Sequence, residues 1–112
     1  MDRITHYKAI VRKVVDDILA MFPTADGLEV IPILDEERGH YLIYNDGWYN
    51  HRRHYANVLH LEVKPEGKVY LRHDGTNLEI ANLLLEAGIP KPDIVLAFRS
   101  PEKRELLGFG AR

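Results

Sequence analysis

The spacing of apolar residues changes after Pro23, and this change limits what the chain can fold into. Within residues 4–22, apolar side chains recur at steps of three and four, which predicts an amphipathic helix. Asp2 is its predicted N-cap, and Pro23 ends it because proline disfavours helical geometry in the residue before it. From residue 28 to residue 73 the pattern becomes that of strands separated by turn residues. The sequence therefore predicts a helix followed by a sheet.

Four strands are predicted after a turn at residues 24–27. They cover residues 28–34, 40–44, 55–63 and 69–73. Pro32 supplies no hydrogen-bond donor to a neighbouring strand, so the first strand is predicted at a sheet edge. In the third strand, simple alternation places Tyr55, Asn57 and Leu59 on one face. A Pro-Glu-Gly turn at residues 64–67 leads to the fourth strand, and the result is an antiparallel meander.

The segment after the second strand has two interpretations. Residues 45–47 read Asn-Asp-Gly, and these residue types tolerate positive φ, so they suit a tight hairpin turn. In the other interpretation they form a bulge, and the chain turns at residues 50–52 instead. These residues by themselves leave both interpretations open.

A second helix is predicted over residues 76–87. Thr76 and Glu79 fit a capping box at its start, and Gly88 suits a left-handed cap at its end. The short apolar run at residues 94–98 suits a strand or a helical turn, of which we favour the strand. One more helical turn is predicted at residues 102–107. Together these elements predict an α+β fold over residues 1–112, a single domain in which two helices cover the meander.

Composition narrows the classes of function. At 112 residues with 46% hydrophobic residues, the chain can bury one core. It has no Cys, which excludes disulfides, thiol nucleophiles and thiolate metal sites. No membrane span and no secretory signal are recognisable, so we expect a cytoplasmic protein. A net charge of −2 gives no overall attraction to DNA phosphates, so any DNA contact requires a local patch or a partner.

Two patterns are weak candidates for metal chemistry. Among six histidines, His40, His60 and His73 lie on different predicted strands and converge only if the strand register aligns them. The triplet Glu-Val-Lys at residues 62–64, with Asp46 upstream, resembles part of a restriction-type nuclease site, but the usual Pro-Asp before it is missing. We therefore expect no metal site, no cofactor and no catalytic residue. A metal-dependent nuclease is the alternative.

The most unusual segment, residues 48–55, alternates aromatic and cationic side chains. Such side chains offer rigid area, stacking and forked hydrogen bonds, so the segment suits a protein-binding hot spot or a nucleic-acid contact. The alternative is structural. In that case Trp48 and Tyr55 lie in the core, and Arg52 and Arg53 are solvated in a hairpin turn.

A series of short motifs runs in order along the chain. They are Asp35-x-x-Arg38-x-His40-Tyr41, Gly47-Trp48, Arg53-x-Tyr55, His60, Lys68-Val69-Tyr70, Asp74-Gly75-Thr76, Gly88-Ile89-Pro90-Lys91, Asp93-Ile94-Val95-Leu96-x-Phe98 and Pro101-x-x-Arg104. In combination they resemble the signature of the XisI family, over nearly the whole chain. The resemblance implies that a strand runs through Gly47 and Trp48, which favours the bulge over the hairpin turn at residues 45–47. Residues 97–100, Ala-Phe-Arg-Ser, depart from the more usual Gly-Phe-His-Pro-like run.

The resemblance also implies a function. The XisI family is named for control of the excision of a DNA element that interrupts fdxN, and its members accompany XisH-like proteins, which resemble restriction-type endonucleases, and a separate recombinase. We therefore expect a non-catalytic accessory factor that binds a XisH-like partner and contacts DNA only indirectly or weakly. The same surface could instead join two copies of the chain in a homodimer. A weak DNA-binding module is a further alternative. The predicted partner-binding residues are Trp48, Arg52, Arg53, Tyr55 and Arg38.

Overall fold

The computed structural model of the protein describes residues 2–24 and 27–110 and has an α+β architecture. The helices are α1 (Arg3–Met21), α2 (Ile80–Glu86) and α3 (Pro101–Leu107), with a 3-10 turn at Lys91–Asp93. The strands are β1 (Leu28–Asp35), β2 (His40–Tyr49), β3 (Arg52–Lys64), β4 (Lys68–Asp74) and β5 (Ile94–Leu96). They form one sheet in the order β1-β2-β3-β4-β5, antiparallel except for the parallel pair of β4 and β5. The predicted fold class is confirmed.

α1 forms where the apolar stripe predicted it. The Asp2 carboxylate accepts a hydrogen bond from the backbone N–H of Thr5 at 2.8 Å, and the helix ends at its C-cap Phe22, directly before Pro23. Its buried side chains are Tyr7, Val11, Val14, Val15 and Ile18. They join the core with the apolar face of the sheet, which buries Tyr41, Ile43, Leu59, Leu61, Val63, Val69 and Leu71. Of the turn predicted at residues 24–27, residues 25 and 26 lie outside the described residues.

The start of α2 differs from the prediction. The helix begins at Ile80 rather than Thr76, and Glu79, at a φ of 53°, makes no side-chain capping bond. The Asp74 carboxylate takes that role, because it accepts hydrogen bonds from the Thr76 N–H at 2.9 Å, the Thr76 hydroxyl at 2.6 Å and the Ile80 N–H at 3.3 Å. The capping box is therefore wrong. Gly88, at a φ of 110°, lies just beyond the other end, as predicted.

The strand through residues 45–47 is regular, so neither the hairpin turn nor a bulge lies there. β2 continues to Tyr49, as the family resemblance implied, and the chain turns at residues 50–51. The bulge is on the partner strand: Ile43 pairs with Leu59 and Tyr44 pairs with Asn57, which leaves Val58 as the extra residue. An extra residue exchanges the faces of the strand before it. Asn57 therefore lies on the face opposite to Leu59, and simple alternation was wrong there.

The two ends of the sheet match their predictions more closely. β1, which contains Pro32, pairs only with β2 and forms one edge. The apolar run predicted as a strand at residues 94–98 is β5, although it is shorter, and the helical turn predicted at residues 102–107 is α3. The parallel pairing of β5 with β4 was not predicted. Residues 111 and 112 at the end of the tail lie outside the described residues.

Candidate partner-binding surface

β2 and β3 are longer than their neighbours, so the end where they join projects from the sheet. β1 pairs with β2 only as far as Gly47, and β4 pairs with β3 only from Leu59 onward. Residues 48–56 therefore form a two-stranded ribbon that we call the arm. Every residue of the arm is exposed.

A two-residue turn closes the arm. Asn50 and His51 have φ angles of 51° and 63°, and the residues on either side of them, Tyr49 and Arg52, pair with each other. Two consecutive left-handed residues make a type I′ turn, whose twist matches that of the strands it joins. Asn and His enter this region more readily than most residues. The twist of the ribbon therefore continues to its tip.

Trp48, Arg53 and Tyr55 meet on one face of the arm. The guanidinium carbon of Arg53 lies 6.0 Å from the centroid of the Trp48 ring and 5.6 Å from that of Tyr55. The Tyr55 ring lies 5.5 Å from the ring of Tyr44, and Arg53 forms an ion pair with Asp46 at the base of the arm. A cation between two aromatic rings is attracted to both faces. These contacts favour one arrangement of the exposed side chains.

The exposure of the two large rings tests the structural alternative for this segment, in which they lie in the core. Trp48 is 63% exposed and Tyr55 is 61% exposed, so neither lies in the core. The structural alternative is therefore wrong. For Tyr55 the physical reason is the bulge at Val58, which turns the preceding part of β3 so that Tyr55 faces away from α1.

The other two predicted contact residues lie elsewhere. Arg52 projects from the opposite face of the arm, because side chains alternate along a strand, and it pairs with Tyr49 across the ribbon. Arg38 lies in the turn between β1 and β2, where it forms an ion pair with Asp35 at 3.4 Å. That turn is at the opposite end of β2 from the arm, roughly 25 Å away. The structure thus brings together three of the five residues, and it separates Arg38 from them.

A polar cluster on the sheet contains two of the three histidines whose meeting depended on the strand register, and sequence reasoning did not predict their grouping with Glu62 and Arg72. On the face away from α1, the Nδ1 atom of His40 lies 3.0 Å from the Nε2 atom of His60. A carboxylate oxygen of Glu62 lies 3.5 Å from His40 Nε2. Arg72 donates a hydrogen bond from Nε to Glu62 Oε1 at 2.8 Å and forms an ion pair with the same oxygen through a terminal guanidinium nitrogen at 2.7 Å. The strand register aligns these residues, since His40 pairs with Glu62 and Leu42 with His60. In the sequence, the two-residue step from His60 to Glu62 indicated that these side chains share a face, but which residues of β2 lie beside them depends on the register.

The environment of His60 favours its neutral form. Burial lowers the pKa of the His60 imidazole below its ordinary value of 6.5, and the nearby charges of His40 and Arg72 lower it further, although Glu62 acts in the opposite direction. A neutral imidazole can accept a hydrogen bond from the ring N–H of its neighbour. At neutral pH the neutral ring of His60 can therefore share a hydrogen bond with the ring of His40.

The two carboxylates of the nuclease alternative do not meet. Asp46 pairs with Tyr55 on β3 whereas Glu62 pairs with His40 on β2, which places them six residues apart along β2, roughly 20 Å. Such a separation is too great for one metal ion to bind both. Within residues 2–24 and 27–110, no group of three or more His, Asp or Glu residues is arranged to hold a metal ion.

A groove of about 540 Å³ opens beside the base of the arm, on the side of the sheet that carries α1. Its lining comes mainly from the end of α1, from β1 and from the loop before α2. The lining residues are Ile18, Leu19, Met21, Phe22, Pro23, Leu28, Val30, Ile43, Asn45, Val58, Gly75, Thr76, Asn77 and Leu78. None of these side chains titrates, so the groove suits apolar contact rather than acid–base chemistry.

The fold and the arm define a class of small α+β protein that presents an aromatic and cationic hairpin beside a helix-covered sheet. None of the helices in the described part of the chain is long and apolar enough to cross a membrane. The chain belongs to the XisI family, because the family described as XisI protein matches residues 1–111.

Two crystal structures are similar to it over almost their full length. A XisI-like protein from Anabaena variabilis is 34% identical with a TM-score of 0.88, and the match covers 96% of this chain and 97% of that one. The fdxN element excision controlling factor XisI from the same organism is 33% identical with a TM-score of 0.86, and the match covers 99% of this chain and 100% of that one. No curated protein matches the chain in sequence.

Proposed function

We propose that this protein is a non-catalytic accessory factor that controls excision of a DNA element by binding a second protein through the arm. Membership of the XisI family supports the controlling role, since one similar structure is that of an excision controlling factor. The observation that carries the proposal is the exposed face formed by Trp48, Arg53 and Tyr55. The protein acts in the cytoplasm, where such an element is excised.

The chemistry of this face favours a protein partner. Binding hot spots are enriched in Trp, Tyr and Arg, because these side chains bury a large area for little loss of conformational freedom. Here the side chains already contact one another, so still less freedom is lost on binding. Direct DNA binding is less favoured, since phosphate affinity needs several free cations and Arg53 is already paired with Asp46.

The partner we propose is a XisH-like protein. XisH-like proteins resemble restriction-type endonucleases, and such a partner supplies the DNA affinity that a chain with a net charge of −2 lacks. The partner contacts DNA, and this protein binds the partner.

The test is calorimetric titration of the protein with a XisH-like protein. Trp48→Ala should weaken binding by at least about tenfold, as truncation of a hot-spot residue does. Arg52→Ala combined with Arg53→Ala should also weaken binding while changing the free energy of unfolding by less than about 0.5 kcal/mol. Arg38→Ala is the matched control, because Arg38 is another exposed arginine and lies at the far end of β2.

Two outcomes would contradict the proposal. One is absence of binding at tens of micromolar partner. The other is binding of duplex DNA by the isolated protein that weakens steeply with salt, which would indicate a DNA-binding module instead. A loss of partner binding in Arg38→Ala alone would move the contact surface to the opposite end of the sheet.

A further inference from the structure

The outer edge of β3 has no strand partner along the arm. β4 pairs with β3 only over residues 59–64, and just beyond this the N–H of Gly75 donates to the carbonyl oxygen of Val58 at 2.7 Å. Residues 52–57 are paired with β2 on one side and have no strand on the other, among the residues that the structure describes. Such an edge can add a strand from another molecule.

The direction of each backbone group on this edge follows from the turn. In a hairpin with a two-residue turn, the flanking residues exchange hydrogen bonds, so Arg52 directs its N–H and C=O toward Tyr49. Alternation then directs the groups of His54 and Ala56 toward β2. It directs those of Arg53 and Tyr55 outward. The edge therefore offers at least two N–H donors and two C=O acceptors to a strand laid beside β3.

Charge indicates what kind of strand fits there. The arm contains Arg52, Arg53 and two histidines but no Asp or Glu. Cations on an edge strand hinder pairing with an identical edge, which disfavours a second copy of this chain. They favour a strand that carries carboxylates, and the exposed rings of Trp48 and Tyr55 offer apolar contact beside them.

We infer that the free edge of β3 binds an extended acidic segment of the partner protein, which adds to the sheet as an antiparallel or parallel sixth strand. This inference rests on the proposed function, because it describes how the arm holds its protein partner. Backbone hydrogen bonds supply the register, and Arg52 and the aromatic face select the sequence of the added strand.

The edge can be tested without any substitution by hydrogen exchange of backbone amides, with the XisH-like protein as the probe. In the free protein the amides of His54 and Ala56 should be protected and those of Arg53 and Tyr55 should exchange fast. Partner binding should protect Arg53 and Tyr55. If the partner binds and these two amides still exchange fast, the edge inference fails and the proposed function stands. If the partner does not bind, both fail.

Substitutions separate the backbone from the side chain. Tyr55→Pro removes the outward N–H and the ring, whereas Tyr55→Ala removes the ring alone, so the proline variant should bind the partner at least about tenfold more weakly than the alanine variant. Equal affinities would overturn the inference, provided that both variants unfold at the same temperature. Protection of Arg53 and Tyr55 in the free protein that grows with its concentration would also overturn it, in favour of pairing between two copies.

The charge of the added strand is tested by reversal. Arg52→Glu should weaken partner binding by about tenfold or more at low salt, and less so at high salt. Arg38→Glu carries the same change in net charge at the far end of β2 and should have little effect. Equal losses in both variants would show that net charge, and not the arm, governs the affinity, and would overturn the choice of an acidic segment.

Discussion

Trp48→Ala and Leu84→Ala make a matched pair that tests whether the arm is independent of the core. Trp48 keeps 63% of its surface exposed. A Trp side chain offers up to about 250 Å² for burial, so the buried part here is on the order of 90 Å², which at about 25 cal/mol per Å² gives at most about 2 kcal/mol. The denatured chain already hides some of this area, so we expect a loss of about 1 kcal/mol.

Leu84 lies at the other extreme, because none of its surface is exposed and it packs in the core between α2 and the sheet. Truncation of a buried Leu costs about 2–5 kcal/mol, since it removes contacts and leaves a cavity. Urea denaturation monitored by far-UV circular dichroism measures the free energy of unfolding of both variants. In thermal denaturation, each kcal/mol of lost stability should lower the melting temperature by roughly 5 °C. A loss above about 2 kcal/mol in Trp48→Ala would refute the exposed arm, and a loss below about 0.5 kcal/mol in Leu84→Ala would refute the position of the α2 stripe.

Two further predictions concern single polar groups. Because the pKa of the His60 imidazole is lowered in the folded protein, the folded state binds fewer protons than the unfolded state. The free energy of unfolding should therefore be unaffected by His60 above pH 6.5 and should fall as the pH drops below that value. His60→Gln should reduce this fall in urea denaturation at pH 5.5 against pH 7.5, and an unchanged fall would assign it to other groups. Asp74→Ala should cost about 1–3 kcal/mol, because it leaves the backbone and hydroxyl donors before α2 without their acceptor. Asp74→Asn, which keeps one acceptor oxygen, should cost less, and equal costs would contradict the capping role.

The parts of the fold that were predicted correctly are those determined by residues close to one another in the sequence. α1 has a long apolar stripe, an N-cap in Asp2 and a stop signal in Pro23, so both of its ends were predictable. The edge position of β1 followed from Pro32 in the same way. The start of α2 was predicted wrongly because its capping group, Asp74, precedes the residues that resemble a capping box. A local motif match does not show which of several nearby carboxylates accepts the hydrogen bonds of the backbone N–H groups.

The candidate site depended on information that is not local. Residues 48–55 stood out by composition, but composition did not place them inside or outside the core. The register of β2 on β3 decided that, and it also brought His40 to His60. Register arises from the summed pairing of whole strands, so a single sequence specifies it only weakly where a bulge interrupts the alternation.

The bulge at Val58 connects the core to the arm. On the side of Val58 toward the C-terminus, Leu59, Leu61 and Val63 face α1 and are fully or almost fully buried. On the other side the faces are exchanged, so Tyr55 joins the surface away from α1. The carbonyl oxygen of Val58 also accepts a hydrogen bond from the N–H of Gly75, directly after β4 ends at Asp74. One extra residue therefore ends the buried face of β3, turns Tyr55 to the exposed face and lies where the edge of β3 becomes free, so the three features on which the proposed partner binding rests meet at Val58.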